Sequence, residues 1–248
     1  MTSRTHSTTL WRCLLAEYLG SLLLATVVIG SGIAAQTLSP HAKGIQLFEN
    51  AAATAAGLFV IILMFAAVSG AHFNPIVSFV DAALGGISWS RASWYCLTQI
   101  VGCVSGAVVA NLMFSRAVVS ISTHVRATPA HAFSEVVATV GLIVLIFALH
   151  RTGRGAATPA AVGAYIGAAY FFTSSTSFAN PAIAIGHMFS NTFAGIAPSS
   201  VPTFVGAEIV GGALAFLLVK ALYPETSNVA AAQEVTAKEC PVIESDQR

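Results

Sequence analysis

The sequence predicts an all-α membrane protein with six transmembrane helices and two re-entrant half-helices, arranged as an inverted repeat. Three observations support this fold class: an apolar composition, six stretches long enough to cross a bilayer, and two shorter apolar stretches that begin with Asn-Pro. Hydrophobic residues make up 56% of the 248 and charged residues 8%, whereas about a quarter of a soluble domain is charged. Much of the surface must therefore face hydrocarbon.

The spans are predicted from length, since about 20 mostly apolar residues are needed to cross a bilayer. The first apolar stretch is too long for a typical signal-peptide core, contains Glu17 and is followed by further spans, so it is predicted to be a membrane helix and not a signal peptide. One membrane domain is predicted over residues 1–223, and the polar segment 224–248 is predicted to be a disordered cytoplasmic tail. The six spans lie near 10–33, 48–68, 88–113, 131–150, 156–175 and 200–222.

Positive charges predict the orientation. Six spans put both termini on one side, and placing them in the cytoplasm leaves eight Lys and Arg residues inside against three outside. This bias follows the positive-inside rule and predicts a multi-pass protein of the inner (plasma) membrane with cytoplasmic termini. The net charge of +1 argues against a nucleic-acid partner, which requires a concentrated basic surface. The three outside are Lys43, Arg116 and Arg126.

Two apolar stretches, 74–84 and 180–189, are too short to cross the membrane. As helices they reach about 16 Å, half of a hydrocarbon core about 30 Å thick. Each starts with Asn followed by Pro, a combination that favours a helix N-terminus. Since each half of the chain has three spans, the second half must be inverted relative to the first. The repeats are predicted at about 10–113 and 131–222.

This arrangement predicts a pore. Two half-helices that enter from opposite faces point their positive N-terminal ends, and the side chains of Asn74 and Asn180, at the membrane centre. A solute oxygen would receive hydrogen bonds there, while cations would be repelled. One Asn-Pro alone is an ordinary helix cap, but two at matched positions favour a pore motif. The motif residues are Asn74, Pro75, Ile76, Asn180, Pro181 and Ala182.

Two carboxyl groups, Glu17 and Glu135, fall inside predicted spans at corresponding places in the two halves. We expect them to accept hydrogen bonds from the backbone of the re-entrant loops, which lipid cannot satisfy. A proton relay is the alternative, although no chain of His or Asp residues lies nearby. His72 is expected to line the cytoplasmic approach to the pore or to brace its loop. No metal site or cofactor is predicted.

The segments 69–77 (SGAHFNPIV) and 178–182 (FANPA) resemble the paired Asn-Pro-Ala signature of the aquaporin superfamily. The resemblance covers about residues 10–223. It implies a passive channel for small neutral solutes rather than an enzyme, and a homotetramer in the lipid bilayer with one pore per subunit. An ion-coupled secondary transporter remains an alternative, because inverted repeats and broken helices occur in both classes.

The resemblance also implies a second constriction, the selectivity filter, near the extracellular side. Its four positions correspond to Thr54, Ala168, Ser177 and Ile183. Most members have Arg where this chain has Ile183, and water-selective members have bulkier residues at the first two positions. A wider opening is therefore expected, suited to glycerol-like polyols or hydroxylated metalloid acids. This pattern resembles bacterial aquaglyceroporins associated with arsenic resistance, which conduct arsenite as neutral As(OH)3.

Overall fold

The computed structural model describes residues 9–224, and every regular element in that part of the chain is helical. The predicted disordered tail lies, beyond Pro224, outside the described residues. Two short 3-10 turns, Gly155–Ala157 and Pro198–Ser200, accompany eight α-helices. The helices are α1 (Leu10–Leu38), α2 (Lys43–Ser69), α3 (Pro75–Ala83), α4 (Trp89–Met113), α5 (Pro129–Arg151), α6 (Thr158–Phe172), α7 (Pro181–His187) and α8 (Val201–Leu222).

Six of these helices are the spans. Five of them (α1, α2, α4, α5 and α8) are long and apolar enough to cross a membrane unaided. The sixth, α6, has only 15 residues and ends at Phe172, earlier than the predicted 175, because Thr173 turns into an extended conformation. Together with the preceding 3-10 turn, α6 reaches about 28 Å, close to the thickness of the hydrocarbon core.

The two half-helices are α3, with nine residues, and α7, with seven. Each contacts both α4 and α8, the third spans of the two repeats. The predicted six spans and two half-helices are therefore confirmed.

The inverted repeat is visible in the packing, since α1 packs against α4 in the first repeat as α5 packs against α8 in the second. Glycines allow the close approach of these helices. A Cβ atom at Gly106 of α4 would lie 2.3 Å from the Leu22 carbonyl oxygen of α1. A Cβ atom at Gly211 of α8 would lie 2.9 Å from the Val136 carbonyl oxygen of α5. Gly212 faces Ile76 in the same way and seats α3 against α8.

Candidate functional site

The two half-helices meet at their N-terminal ends, and Asn74 and Asn180 cap them. Both asparagines have extended backbones, so neither belongs to its helix, and proline follows each of them. The Oδ1 atom of Asn74 accepts the Ile76 N–H at 2.9 Å. That of Asn180 accepts the Ala182 N–H at 3.0 Å. The caps thus satisfy donors that the first turn of each helix leaves free.

The asparagine amides also join the two half-helices to each other. The Nδ2 atom of Asn74 donates to the Ala179 carbonyl at 2.7 Å, and that of Asn180 donates to the Phe73 carbonyl at 2.8 Å. An amide NH2 has two hydrogens, so each asparagine keeps one donor after this reciprocal bond. Both asparagines line the central cavity. Their remaining donors are available to a solute oxygen.

The re-entrant loops before the two caps share an unusual backbone. The residues one and three positions before each asparagine have positive φ angles: Phe73 (49°) and Ala71 (54°), then Ala179 (48°) and Ser177 (54°). Non-glycine residues adopt this left-handed region at a cost, and it persists only where the surroundings enforce it. Here the enforcement comes from the reciprocal asparagine bonds and from the buried carboxylates that accept the loop N–H groups.

Glu17 provides this support in the first repeat. Its carboxylate is fully buried and accepts hydrogen bonds from the His72 N–H (3.0 Å) and the Phe73 N–H (2.7 Å). The Ser69 hydroxyl donates to it at 2.6 Å, and the Gln99 amide at 2.8 Å. Two backbone donors that cannot be satisfied by lipid are thereby paired.

Glu135 occupies the matching place in the second repeat, where it accepts the Phe178 N–H (3.0 Å) and the Ala179 N–H (2.6 Å). A third carboxyl group, Glu208 of α8, accepts the Asn180 N–H at 2.9 Å and lies beside Glu135. Our sequence analysis missed Glu208, although a carboxyl inside a span was the signal used for the other two. Glu208 lies beside Glu135 in the second repeat as Gln99 lies beside Glu17 in the first. The second repeat therefore has a carboxyl group where the first has a side-chain amide.

A cavity of about 820 Å³ runs through the bundle past both asparagines. At one end it is lined by His72 and Asp81, and at the other by Phe193 and Ala194. We call the latter end the outer mouth. The His72 ring lies 3.5 Å from the Asp81 carboxylate and 3.0 Å from the Ser78 hydroxyl, which fixes it at the edge of the cavity.

Three of the four predicted filter residues, Thr54, Ser177 and Ile183, line this cavity, but Ala168 does not. Ala168 is exposed on the outer face of α6, so its prediction is wrong. The cavity is instead lined by Tyr170, whose hydroxyl lies 3.1 Å from the Thr54 hydroxyl. Side chains two positions apart on a helix, such as Ala168 and Tyr170, point in directions about 200° apart around the helix axis. Counting back from Asn180 failed because a non-helical segment separates it from α6.

The filter region therefore combines hydroxyl groups with apolar walls. The Ser177 hydroxyl is buried, and none of the described residues forms a hydrogen bond with it. Ile183 is 6% exposed and carries no donor beyond its backbone. Within residues 9–224, no group of three or more His, Cys, Asp or Glu side chains is arranged to hold a metal ion.

The chain is similar in sequence to known proteins. Residues 4–179 match the profile of the Major intrinsic protein family. The chain is 44% identical to aquaglyceroporin AqpS of Rhizobium meliloti (strain 1021), over 84% of this chain and 88% of that protein. It is 28% identical to aquaporin TIP1-1 of Arabidopsis thaliana, over 86% and 88%.

A solved structure shows the same fold. The X-ray structure of the aquaglyceroporin from Plasmodium falciparum superposes with a TM-score of 0.68 at 17% sequence identity, covering 92% of this chain and all of that one. The paired half-helices, the inverted repeat and the long match to the family profile agree, and the chain belongs to the Major intrinsic protein family.

Proposed function

We propose that the protein is a passive transmembrane channel for small neutral solutes, with water and glycerol-like polyols as its main substrates. The observation that carries this proposal is the cavity that passes between the two asparagine caps. Donors at the midplane bind a solute oxygen, and the converging positive helix ends oppose cations. Among residues 9–224, no carboxylate would meet a solute at the asparagine pair; Glu17, Glu135 and Glu208 bind backbone groups instead.

The filter residues support permeation by solutes larger than water. Thr54, Tyr170 and Ser177 supply hydroxyl groups, whereas Ile183 supplies an apolar wall. Such a lining suits a molecule with hydroxyl groups on one side and C–H groups on the other, as in glycerol. The name of the Rhizobium relative, an aquaglyceroporin, agrees with this assignment. Neutral hydroxylated metalloid acids such as As(OH)3 have comparable size and polarity, and we include them among the candidate solutes.

The proposal also covers the extent of the domain, its assembly and its orientation in the membrane. We infer that residues 1–223 form one channel domain, that the protein assembles as a homotetramer with one pore per subunit, and that it lies in the inner (plasma) membrane with cytoplasmic termini. Under this orientation the outer mouth is extracellular. The distribution of Lys and Arg supports the orientation.

Stopped-flow light scattering on proteoliposomes tests the function. We expect water and glycerol fluxes well above those of empty liposomes, rising linearly with the gradient and insensitive to proton and sodium gradients. Urea and arsenite should be compared in the same preparation. Saturable flux that follows an imposed ion gradient would identify a secondary transporter instead. Water flux without glycerol or arsenite flux would refute the proposed wide filter but not the proposed channel function.

A further inference from the structure

The loop between α4 and α5 brings an arginine, Arg126, to the outer mouth. Arg126 precedes α5 by three residues and lines the same cavity as Thr54, Ser177 and Ile183. Its guanidinium carbon lies 5.4 Å from the centre of the Phe178 ring. Phe178 directly follows Ser177, so the guanidinium lies over the re-entrant loop that supplies part of the filter.

Hydrogen bonds hold this side chain in one place. The Nε atom of Arg126 donates to the Gly195 carbonyl at 3.0 Å, and Nη2 donates to the Phe193 carbonyl at 3.0 Å. The Arg126 backbone N–H donates to the Ser200 hydroxyl at 2.9 Å. A guanidinium has five N–H donors, so these two carbonyls occupy only two of them.

The loop that carries Arg126 is itself fixed to the segment after α7. The Ser122 N–H donates to the Met188 carbonyl at 2.9 Å, and the Ala197 N–H donates to the His124 carbonyl at 2.7 Å. These two bonds fix the loop residues just before Arg126. The arginine is therefore presented by an ordered part of the loop and not by a freely moving arm.

In the part of the chain that the structure describes, no acidic group contacts the charge of Arg126, and no carboxylate forms a salt bridge with it. Its hydrogen-bond partners are carbonyl oxygens, an aromatic ring lies beside it, and Glu135 attracts it only from beyond salt-bridge distance. A positive charge without a paired acid projects its field into the adjoining space, here the outer mouth. It repels entering cations, and the remaining N–H groups can donate to solute oxygens.

We propose that Arg126 supplies the fixed positive charge and the guanidinium donors of the outer constriction, at a place where Ile183 has neither. The channel thus keeps a cation barrier at this end in addition to the half-helix ends at the midplane. The inference rests on the proposed channel function. Arg126 acts as a specificity-determining residue that excludes cations and orients hydroxylated solutes, while Ile183 leaves its part of the cavity wall apolar.

The test changes the charge at this position in both directions. Arg126→Cys is reconstituted and treated with either a cationic (ethylammonium) or an anionic (ethylsulfonate) methanethiosulfonate. Potassium leak and water permeability are then measured per channel. We expect the untreated variant to leak potassium at least about tenfold more than the wild type, since one unit charge at a protein surface changes a barrier by that order. The cationic adduct should restore the low leak, and the anionic adduct should raise it further.

Arg116→Cys is the matched control, because Arg116 is exposed in the same loop and does not line the cavity. Neither reagent should change its leak. Equal leak from the two adducts at position 126, or a wild-type leak in the untreated variant, would overturn the proposal.

If Arg126→Cys does not yield folded protein, Arg126→Lys is compared with Arg126→Gln. A low potassium leak with lysine but not with glutamine supports the role of the positive charge, and an equal leak in the two variants overturns it. A wild type without water flux would instead refute the channel function.

Discussion

Replacing Glu208 tests how the second re-entrant loop is held. Glu208→Leu removes the acceptor of the Asn180 N–H, which lies 2.9 Å from the Glu208 carboxylate in a fully buried site. A buried donor left unpaired costs about 1–3 kcal/mol. For a chain of this size, each kcal/mol lowers the melting temperature by about 2–4 °C. Taking the middle of the range, we expect Glu208→Leu to melt about 4–8 °C below the wild type.

Glu208→Gln should behave differently, because it retains the acceptor for Asn180 and places an amide donor beside Glu135. Gln99 already donates to Glu17 at 2.8 Å in the first repeat. We therefore expect Glu208→Gln to melt at or above the wild-type temperature and to conduct water at the wild-type rate. Thermal unfolding of the purified protein, followed by tryptophan fluorescence, measures both variants. Equal losses in Glu208→Leu and Glu208→Gln would refute this reasoning.

Three further predictions concern the filter. Ile183→Arg should narrow the opening and slow glycerol relative to water by about tenfold or more, a barrier change of about 1.4 kcal/mol; unchanged flux ratios in folded protein would place Ile183 away from the constriction. Tyr170→Ala should raise the glycerol-to-water ratio, while Ala168→Leu on the outer face should leave it unchanged in the same swelling assay. The native channel should resist mercurials, since its three described cysteines do not line the cavity, and Ser177→Cys should become sensitive; strong block of the unmodified channel would contradict this.

Much of the fold could be predicted because its strongest determinants are local. Asn followed by Pro favours a helix start through local capping alone, and the half-helices begin at Pro75 and Pro181 as predicted. The length of apolar stretches similarly predicts spans, because bilayer thickness is a fixed external dimension. The ends of α1 and α2 were predicted less well. Both extend several residues beyond the apolar stretch, to Leu38 and from Lys43, where helix formation no longer depends on lipid.

The parts that could not be predicted depend on long-range packing. Ala168 and Tyr170 differ by two positions, and which of them faces the cavity depends on the rotation of α6, which motif spacing does not determine. Glu208 supports a loop 28 residues earlier in the chain, and nothing in its own segment indicates that partner. Arg126 reaches Phe193 and Gly195 across 67 and 69 residues. Sequence analysis counted it only as an outside charge for orientation.

The reciprocal bonds of the two asparagines have a consequence for biogenesis. Asn74 and Ala179 are 105 residues apart, and Phe73 and Asn180 are 107 apart. While the chain is being synthesised, the first half can insert its three spans, but the Asn74 amide and the Phe73 carbonyl still lack these partners. They are paired only after α6 has been inserted and the second half-helix has folded back. The centre of the pore is therefore among the last parts of the protein to form. A ribosome stalled before residue 179 holds a chain that spans the membrane but has not yet formed a pore.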